Sequence, residues 1–259
     1  MNDAPYVLRT DTGAVATLTL NRGERFNALS EEMLAQLSAA FKEIADDQAV
    51  RVVVLAANGK AFCAGHDLKQ MQESPTEKYY KDLFQQCSKL MLAIQKLPQP
   101  VIARVHGLAT AAGCQLVAMC DLAVASEQAR FAVSGINVGL FCATPAVALS
   151  RNVSRKQAME MLLTGDFIDA QTALQRGLVN RVVSADELDA TVNELAASII
   201  AKPALAISMG KQLFYKQLEM GVEAAYQLAG QTMACNMMDA SAQEGVQAFI
   251  EKRVPAWGK

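Results

Sequence analysis

Imidazole is the scarcest chemistry in this chain: the 259 residues contain only His66 and His106. With no ligand spacing around either ring, a structural or catalytic metal site is excluded. Six cysteines, at 63, 87, 114, 120, 142 and 235, form no CxxC pair and sit mostly inside apolar runs. That usage excludes a disulfide framework and fits reduced, buried thiols. No apolar run approaches the roughly 18 to 20 residues of a membrane helix. Net charge is only −2, so no overall field favours nucleic acid. The opening Met1-Asn2-Asp3-Ala4-Pro5 lacks the basic-then-apolar order of a secretory signal. These absences lead us to expect a soluble, cytoplasmic protein with neither nucleic acid nor membrane as partner.

Familiar phosphate and nucleophile motifs are missing too. There is no GxGxxG after a strand, no GxxxxGK[ST] and no GxSxG elbow. Dehydrogenase, kinase and esterase readings lose their support. Two histidines without a matching Ser or Cys context give no triad.

What is present is a strongly apolar chain, 52% hydrophobic and 19% charged, which suggests that some of its surface meets other subunits. Tyr6–Arg9 and Val15–Leu20, split by Asp11-Thr12-Gly13, read as a hairpin. Ser30 reads as a helix start, with one apolar face at 33, 34, 37, 41 and 44. Arg51–Leu55 and Val101–Val105 read as buried strands, each followed by a glycine-containing turn. The first turn is Ala61-Phe62-Cys63-Ala64-Gly65-His66-Asp67-Leu68-Lys69, the second His106-Gly107-Leu108-Ala109-Thr110-Ala111-Ala112-Gly113-Cys114-Gln115. After the first turn a helix of about 20 residues ends before Pro98. Two strand-to-helix turns can aim free backbone N–H groups at one oxygen. Strand and helix alternate to about 183, and from Asp186 the pattern is helical only.

The two turns, the strand–strand–helix units and the helical tail resemble the crotonase (enoyl-CoA hydratase/isomerase) superfamily. Leu162-Leu163-Thr164-Gly165, Arg176-Gly177-Leu178-Val179 and Gly245-Val246-Gln247-Ala248-Phe249 extend the likeness along nearly the whole chain. The first turn, Ala111–Leu116 and Asn137–Cys142 are most similar to the group called enoyl-CoA hydratase domain-containing protein 3. The resemblance implies an α/β, ClpP-like spiral over 1–190 and a helical trimerisation region over 191–259. It implies a coenzyme A thioester as substrate or ligand, no separate cofactor, and a homotrimer or dimer of trimers.

Site residues follow from the same resemblance. The oxyanion-hole N–H groups fall on His66 and Ala112. Ala64, Asp67 and Leu68 would hold the adenine of coenzyme A, with Arg25 and Lys69 near its phosphates. Phe249 and Lys252 match positions that reach coenzyme A on a neighbouring subunit. Hydratases carry glutamates at the positions of Gln115 and Gly135, and dienoyl isomerases an aspartate at that of Ala143. None of the three is acidic here.

Each residue also has a plainer reading. The His66 ring points to solvent, or else lines the acyl pocket with a pKa near its reference value. Gln115 is a structural amide, or else positions a water or an acyl substituent. Cys114 and Cys142 are small buried hydrophobes, Asp121 is a structural hydrogen-bond partner, and Met233–Met238 is core or subunit contact. The expected function is an acyl-CoA enzyme of fatty-acid metabolism with weak ordinary hydration, or alternatively a non-catalytic acyl-CoA binder.

Overall fold

The computed structural model describes residues 4–257; Met1-Asn2-Asp3, in the opening read above for a secretory signal, lies outside the described residues. The hairpin forms as expected, β1 (Val7–Thr12) pairing antiparallel with β2 (Val15–Leu20). In β2 every second residue, Ala16, Leu18 and Leu20, is buried, as a sheet with one face on the core requires. Ser30 Oγ accepts the Met33 N–H at 3.2 Å and caps α1 (Glu31–Asp46). The buried stripe of α1 is Met33, Leu34, Leu37, Phe41 and Ile44, the face that helical periodicity assigns.

From there one unit recurs. β3 (Val52–Ala57) and β4 (Ala61–Cys63) lead into α2 (Leu68–Glu73) and α3 (Glu77–Lys96). β5 (Val101–Val105) and β6 (Leu108–Thr110) lead into α4 (Ala112–Met119). β7 (Leu122–Ser126) and β8 (Arg130–Ala132) are followed by α5 (Ala143–Leu149). Within each unit the first strand joins one sheet, β1-β2-β3-β5-β7-β10, and the second joins another, β4-β6-β8-β9. The units pair in parallel in both sheets. After α6 (Arg155–Thr164), β9 (Ile168–Asp169) adds antiparallel to β8. After α7 (Ala170–Gln175), β10 (Arg181–Val183) adds parallel to β7. This is the α/β spiral of strand–strand–helix units that the resemblance implies. The glycine-containing turns differ from their sequence reading, because each begins with a strand, β4 or β6. Three residues are too few for a periodicity; their neighbours across the second sheet define them.

One apolar cluster lies between the sheets and α1, α3 and α4. A second, Val52, Val54, Ile102 and Val124 under Leu188, Val192 and Ala196, shows that α8 (Leu188–Ile200) covers the other face of the large sheet. A division at 190 therefore falls inside a core helix, and the helices that stand off the spiral begin with α9 (Ala204–Gln217). α10 (Val222–Met237) buries none of its residues, and α11 (Ala240–Ile250) buries only Ala248. Met233, Met237 and Met238 are exposed, so the Met-rich segment is not core within this chain.

α9 is anchored through one buried ion pair. Lys211 Nζ donates to Asp121 Oδ2 at 2.6 Å and to the carbonyls of Ile94 and Gln99 at 2.9 and 3.0 Å. Asp121 also accepts the Tyr215 hydroxyl at 2.8 Å and the Val101 N–H at 2.7 Å. Asp121 is thus structural, as expected, and every charge in the knot is satisfied.

The two turns press together where glycine is obligatory. A Cβ on Gly113 would sit 2.0 Å from the Cys63 carbonyl oxygen. One on Gly65, whose φ is +91°, would sit 2.9 Å from Ala111 Cβ and 3.2 Å from Ala112 N. Gly113→Ala should therefore destabilise the protein by about 3 kcal/mol or more, since the clash is with backbone. Gly210→Ala, in the interior of α9 with open space around it, should be neutral or stabilising by up to about 1 kcal/mol. Urea unfolding of the two variants checks the contrast; equal effects would contradict the close approach.

Candidate functional site

A third segment holds the first of the two abutting turns in place. Asn27 is fully buried; its Nδ2 donates to Asn58 O and Ala61 O, both at 2.8 Å, and its Oδ1 accepts the Arg22 N–H at 2.8 Å. Phe26 and Asn27 both have positive φ, 53° and 52°, a conformation that these bonds over-determine. Backbone bonds run from Ala64 N–H to Phe26 O at 3.0 Å and from Leu29 N–H to Gly65 O at 2.7 Å. The two donor bonds of Asn27 go to carbonyls more than thirty residues away, which no local pattern reveals.

These bonds bracket His66 but leave its N–H without an acceptor among the described residues. Ala112 is in the same position. Ala111 N–H bonds to Ala132 O at 3.0 Å and Gln115 N–H to Ala111 O at 3.1 Å, while Ala112 N–H, at the start of α4, has no acceptor among the described residues. Ala111 itself is held at φ 50°, ψ −122°, an unusual conformation for a residue with a side chain. Backbone strain of this kind is kept where it orients a functional group. Two such N–H groups can stabilise negative charge developing on an oxygen between them.

Both residues border one apolar cavity of about 370 Å³. Ala64, Leu68, Met71, Phe84, Val138, Leu140, Phe141 and Cys142 also line it, and no carboxylate does among the described residues. Met71 and Phe84 were missed in the sequence, whereas Asn137–Cys142 was noted there as part of the likeness without a place in the site. A larger cavity of about 660 Å³ is lined by Arg25, Asp67 and Lys69, with Arg22 against Glu24, Glu32 and Glu73. His66 and Leu68 line both cavities and so stand where the two adjoin. Asp67 has a further duty, capping α2 by accepting from Lys69 N–H and Gln70 N–H.

The structure does not bring every candidate together. Gln115 is buried in α4 and does not line the apolar cavity, and its Oε1 has no partner. The reading of Gln115 as an amide satisfying its neighbours is corrected accordingly. Phe249 is almost fully exposed and borders a separate groove with Met237 and Trp257, and Lys252 lies just past the end of α11. Of the three cations, only Arg25 and Lys69 converge within one chain.

The His66 ring is buried, which corrects the expectation that it points to solvent. It packs edge-on to Phe84 with centroids 5.5 Å apart, and Nδ1 lies 3.4 Å from Leu29 O. Burial lowers its pKa below 6.5, because desolvation disfavours the charged ring. The thiols behave as small hydrophobes: burial pushes Cys114 up to about 12 and raises Cys142, whose Sγ accepts the Gly135 N–H at 3.3 Å. Among the described residues no cluster of three or more His, Cys, Asp or Glu could hold a metal, and no single helix is long and apolar enough to cross a membrane.

Comparison with known proteins gives this geometry a context. The enoyl-CoA hydratase/isomerase family model matches residues 10–259. A crystal structure of enoyl-CoA hydratase from Mycobacterium smegmatis is 64% identical, covering 98% of this chain and 99% of its own, with a TM-score of 0.97. The crystal structure of human enoyl Coenzyme A hydratase domain-containing protein 3 is 44% identical over 97% of this chain and 100% of its own, with a TM-score of 0.94. The mouse enoyl-CoA hydratase domain-containing protein 3, mitochondrial, is 45% identical over 94% of this chain and 81% of its own. That relative corrects the cytoplasmic expectation, since its name points to the mitochondrion. Reduced thiols and mild acidity do not distinguish one reducing compartment from another.

The buried imidazole makes stability depend on pH. The unfolded ring takes its proton near 6.5 and the folded ring only at lower pH, so the unfolded state binds more protons between those values. Stability should therefore fall as pH drops below about 6.5, with a limiting slope of about 1.4 kcal/mol per pH unit for this group. Thermal unfolding between pH 7.5 and 5.5 checks this, and His66→Gln should flatten the slope. An unchanged slope in that variant would mean that the ring is not desolvated.

Proposed function

The chain belongs to the enoyl-CoA hydratase/isomerase family, and from that premise we propose that it binds an acyl-CoA with the thioester oxygen between the N–H groups of His66 and Ala112. Members of this family take CoA thioesters as substrates, need no metal or separate cofactor, and commonly form trimers. The observation that carries the proposal is the pair of N–H groups without acceptors at the wall of one apolar cavity. In this reading the acyl group occupies that cavity, and the nucleotide end lies in the larger one beside Arg25 and Lys69. The backbone around Ala64, Asp67 and Leu68 then faces the adenine, and Phe249 and Lys252 serve the ligand of a neighbouring subunit. Calorimetry with acetyl-, butyryl- and decanoyl-CoA should give dissociation constants between micromolar and sub-millimolar. No heat with any of them near millimolar ligand would refute the proposal.

No carboxylate lines the apolar cavity among the described residues: of the two positions where hydratases carry glutamate, Gly135 is on its wall and Gln115 lies outside it. General acid–base help is worth roughly 10²–10⁴ in rate for each group. Hydration of crotonyl-CoA should therefore stay well below the roughly 10 per second typical of enzymes. Gln115→Glu alone should not raise it, because position 115 does not line that cavity. A matching Gly135→Glu should not help, because a Cβ there meets Leu140 O at 2.6 Å and Cys142 Sγ at 2.7 Å. Turnover of crotonyl-CoA at an ordinary enzymatic rate by the unaltered protein would refute the assignment of Gln115 and Gly135. The missing carboxylates also favour a second reading, a non-catalytic acyl-CoA binder acting by sequestration, which predicts binding with no turnover of any acyl-CoA.

Assembly completes the proposal. Phe214, Leu218, Val222, Tyr226, Met233 and Phe249 are all exposed apolar side chains on or beside α9 to α11, the kind of surface that other subunits cover. Covered by other copies, it gives a homotrimer or a dimer of trimers. Light scattering should report three or six times 27.8 kDa; a monomer at micromolar concentration would contradict it.

A further inference from the structure

His66 and Cys142 are the only titratable side chains lining the apolar cavity among the described residues. Cys142 Sγ already accepts the Gly135 N–H, and burial keeps it a thiol at neutral pH. His66 differs. Its Nδ1 contacts Leu29 O at 3.4 Å, and a carbonyl oxygen can only accept, so this contact requires the proton on Nδ1. In the neutral ring Nε2 then carries the lone pair. Nε2 is buried without a partner among the described residues. Phe84, another wall of the cavity, packs edge-on against the ring and restricts its rotation. The same residue carries one of the two free backbone N–H groups, so the lone pair and the oxygen-binding group belong to one rigid position.

We propose that His66 Nε2 is the base that removes the α-proton of a bound acyl-CoA, an assignment that rests on the acyl-CoA reading above. The α-C–H bond breaks and its proton passes to Nε2, giving the imidazolium. The electron pair moves onto the thioester oxygen as an enolate, held by the N–H groups of His66 and Ala112. The enolate faces the imidazolium, and this pairing offsets the cost of charging a buried ring. Return of the proton to the α-carbon restores the acyl-CoA. No water is consumed and no carboxylate is needed, in keeping with Gln115 and Gly135.

The test is α-proton exchange of butyryl-CoA in D2O at neutral pD with the whole, assembled protein, followed by proton NMR, with calorimetry on the same samples. The unaltered protein should exchange the α-protons well above the buffer rate. His66→Gln keeps the backbone N–H; it should bind butyryl-CoA within a few-fold of the unaltered protein and lose exchange by about 10²-fold or more. His66→Ala should recover part of the exchange when imidazole is added. Binding without exchange by the unaltered protein, or undiminished exchange in His66→Gln, overturns the assignment. Absence of binding overturns the acyl-CoA reading itself, and this assignment with it.

Discussion

The contact between the start of α4 and the end of β4 is the constraint on which the site depends. Helix and strand approach until the Cα of Gly113 lies against the Cys63 carbonyl, with no room for a methyl group. Gly65 closes the same seam from the other side, against Ala111 and Ala112. The two turns are consecutive units of a spiral, far apart in sequence, yet their backbones are in direct contact. Only this intimacy lets His66 and Ala112, from different units, border one cavity. The strained φ and ψ of Ala111 and the left-handed pair Phe26 and Asn27 are tolerated because neighbouring hydrogen bonds leave the chain no alternative.

A second constraint works at a distance from the cavity. Asp121 sits at the start of β7, bonds to the first N–H of β5 and receives both Lys211 and Tyr215 from α9. Its carboxylate thus fixes the stagger of two central strands and the direction in which the outlying helices leave the core. Burial lowers the pKa of Lys211, while Asp121 raises it; burial wins in net, and the carbonyls of Ile94 and Gln99 complete the ammonium's shell. Removing Asp121 or Lys211 would leave the other desolvated without its opposite charge.

What could be read from the sequence was whatever is encoded locally. The α1 stripe, its Ser30 cap, the β1–β2 hairpin and the long α3 are patterns of neighbours, and they appear where the residues put them. The two turns were legible because glycine among small residues marks close backbone approach. β4 and β6 were not, since a three-residue strand is defined by its partners across the sheet. The direction of the His66 ring was not legible either, because it is decided by Phe84 and Leu29, and the isolation of Gln115 depends on a cavity wall built from distant loops. Phe249 and Lys252 illustrate a further boundary: they lie away from both cavities of their own chain, and a single sequence carries no statement about its neighbours' surfaces.

The lengths of the strands bear on which sheet supports the other. The large sheet has strands of five and six residues at its centre, whereas the second sheet is made of strands of three residues and fewer. Strands so short cannot hold together alone, and parallel pairing needs its crossovers already in place. The second sheet therefore depends on the large sheet and its crossovers for its order, and the cavity bordered by His66 and Ala112 belongs to this dependent layer. A change that loosens the large sheet is thus transmitted to the cavity as well as to the core.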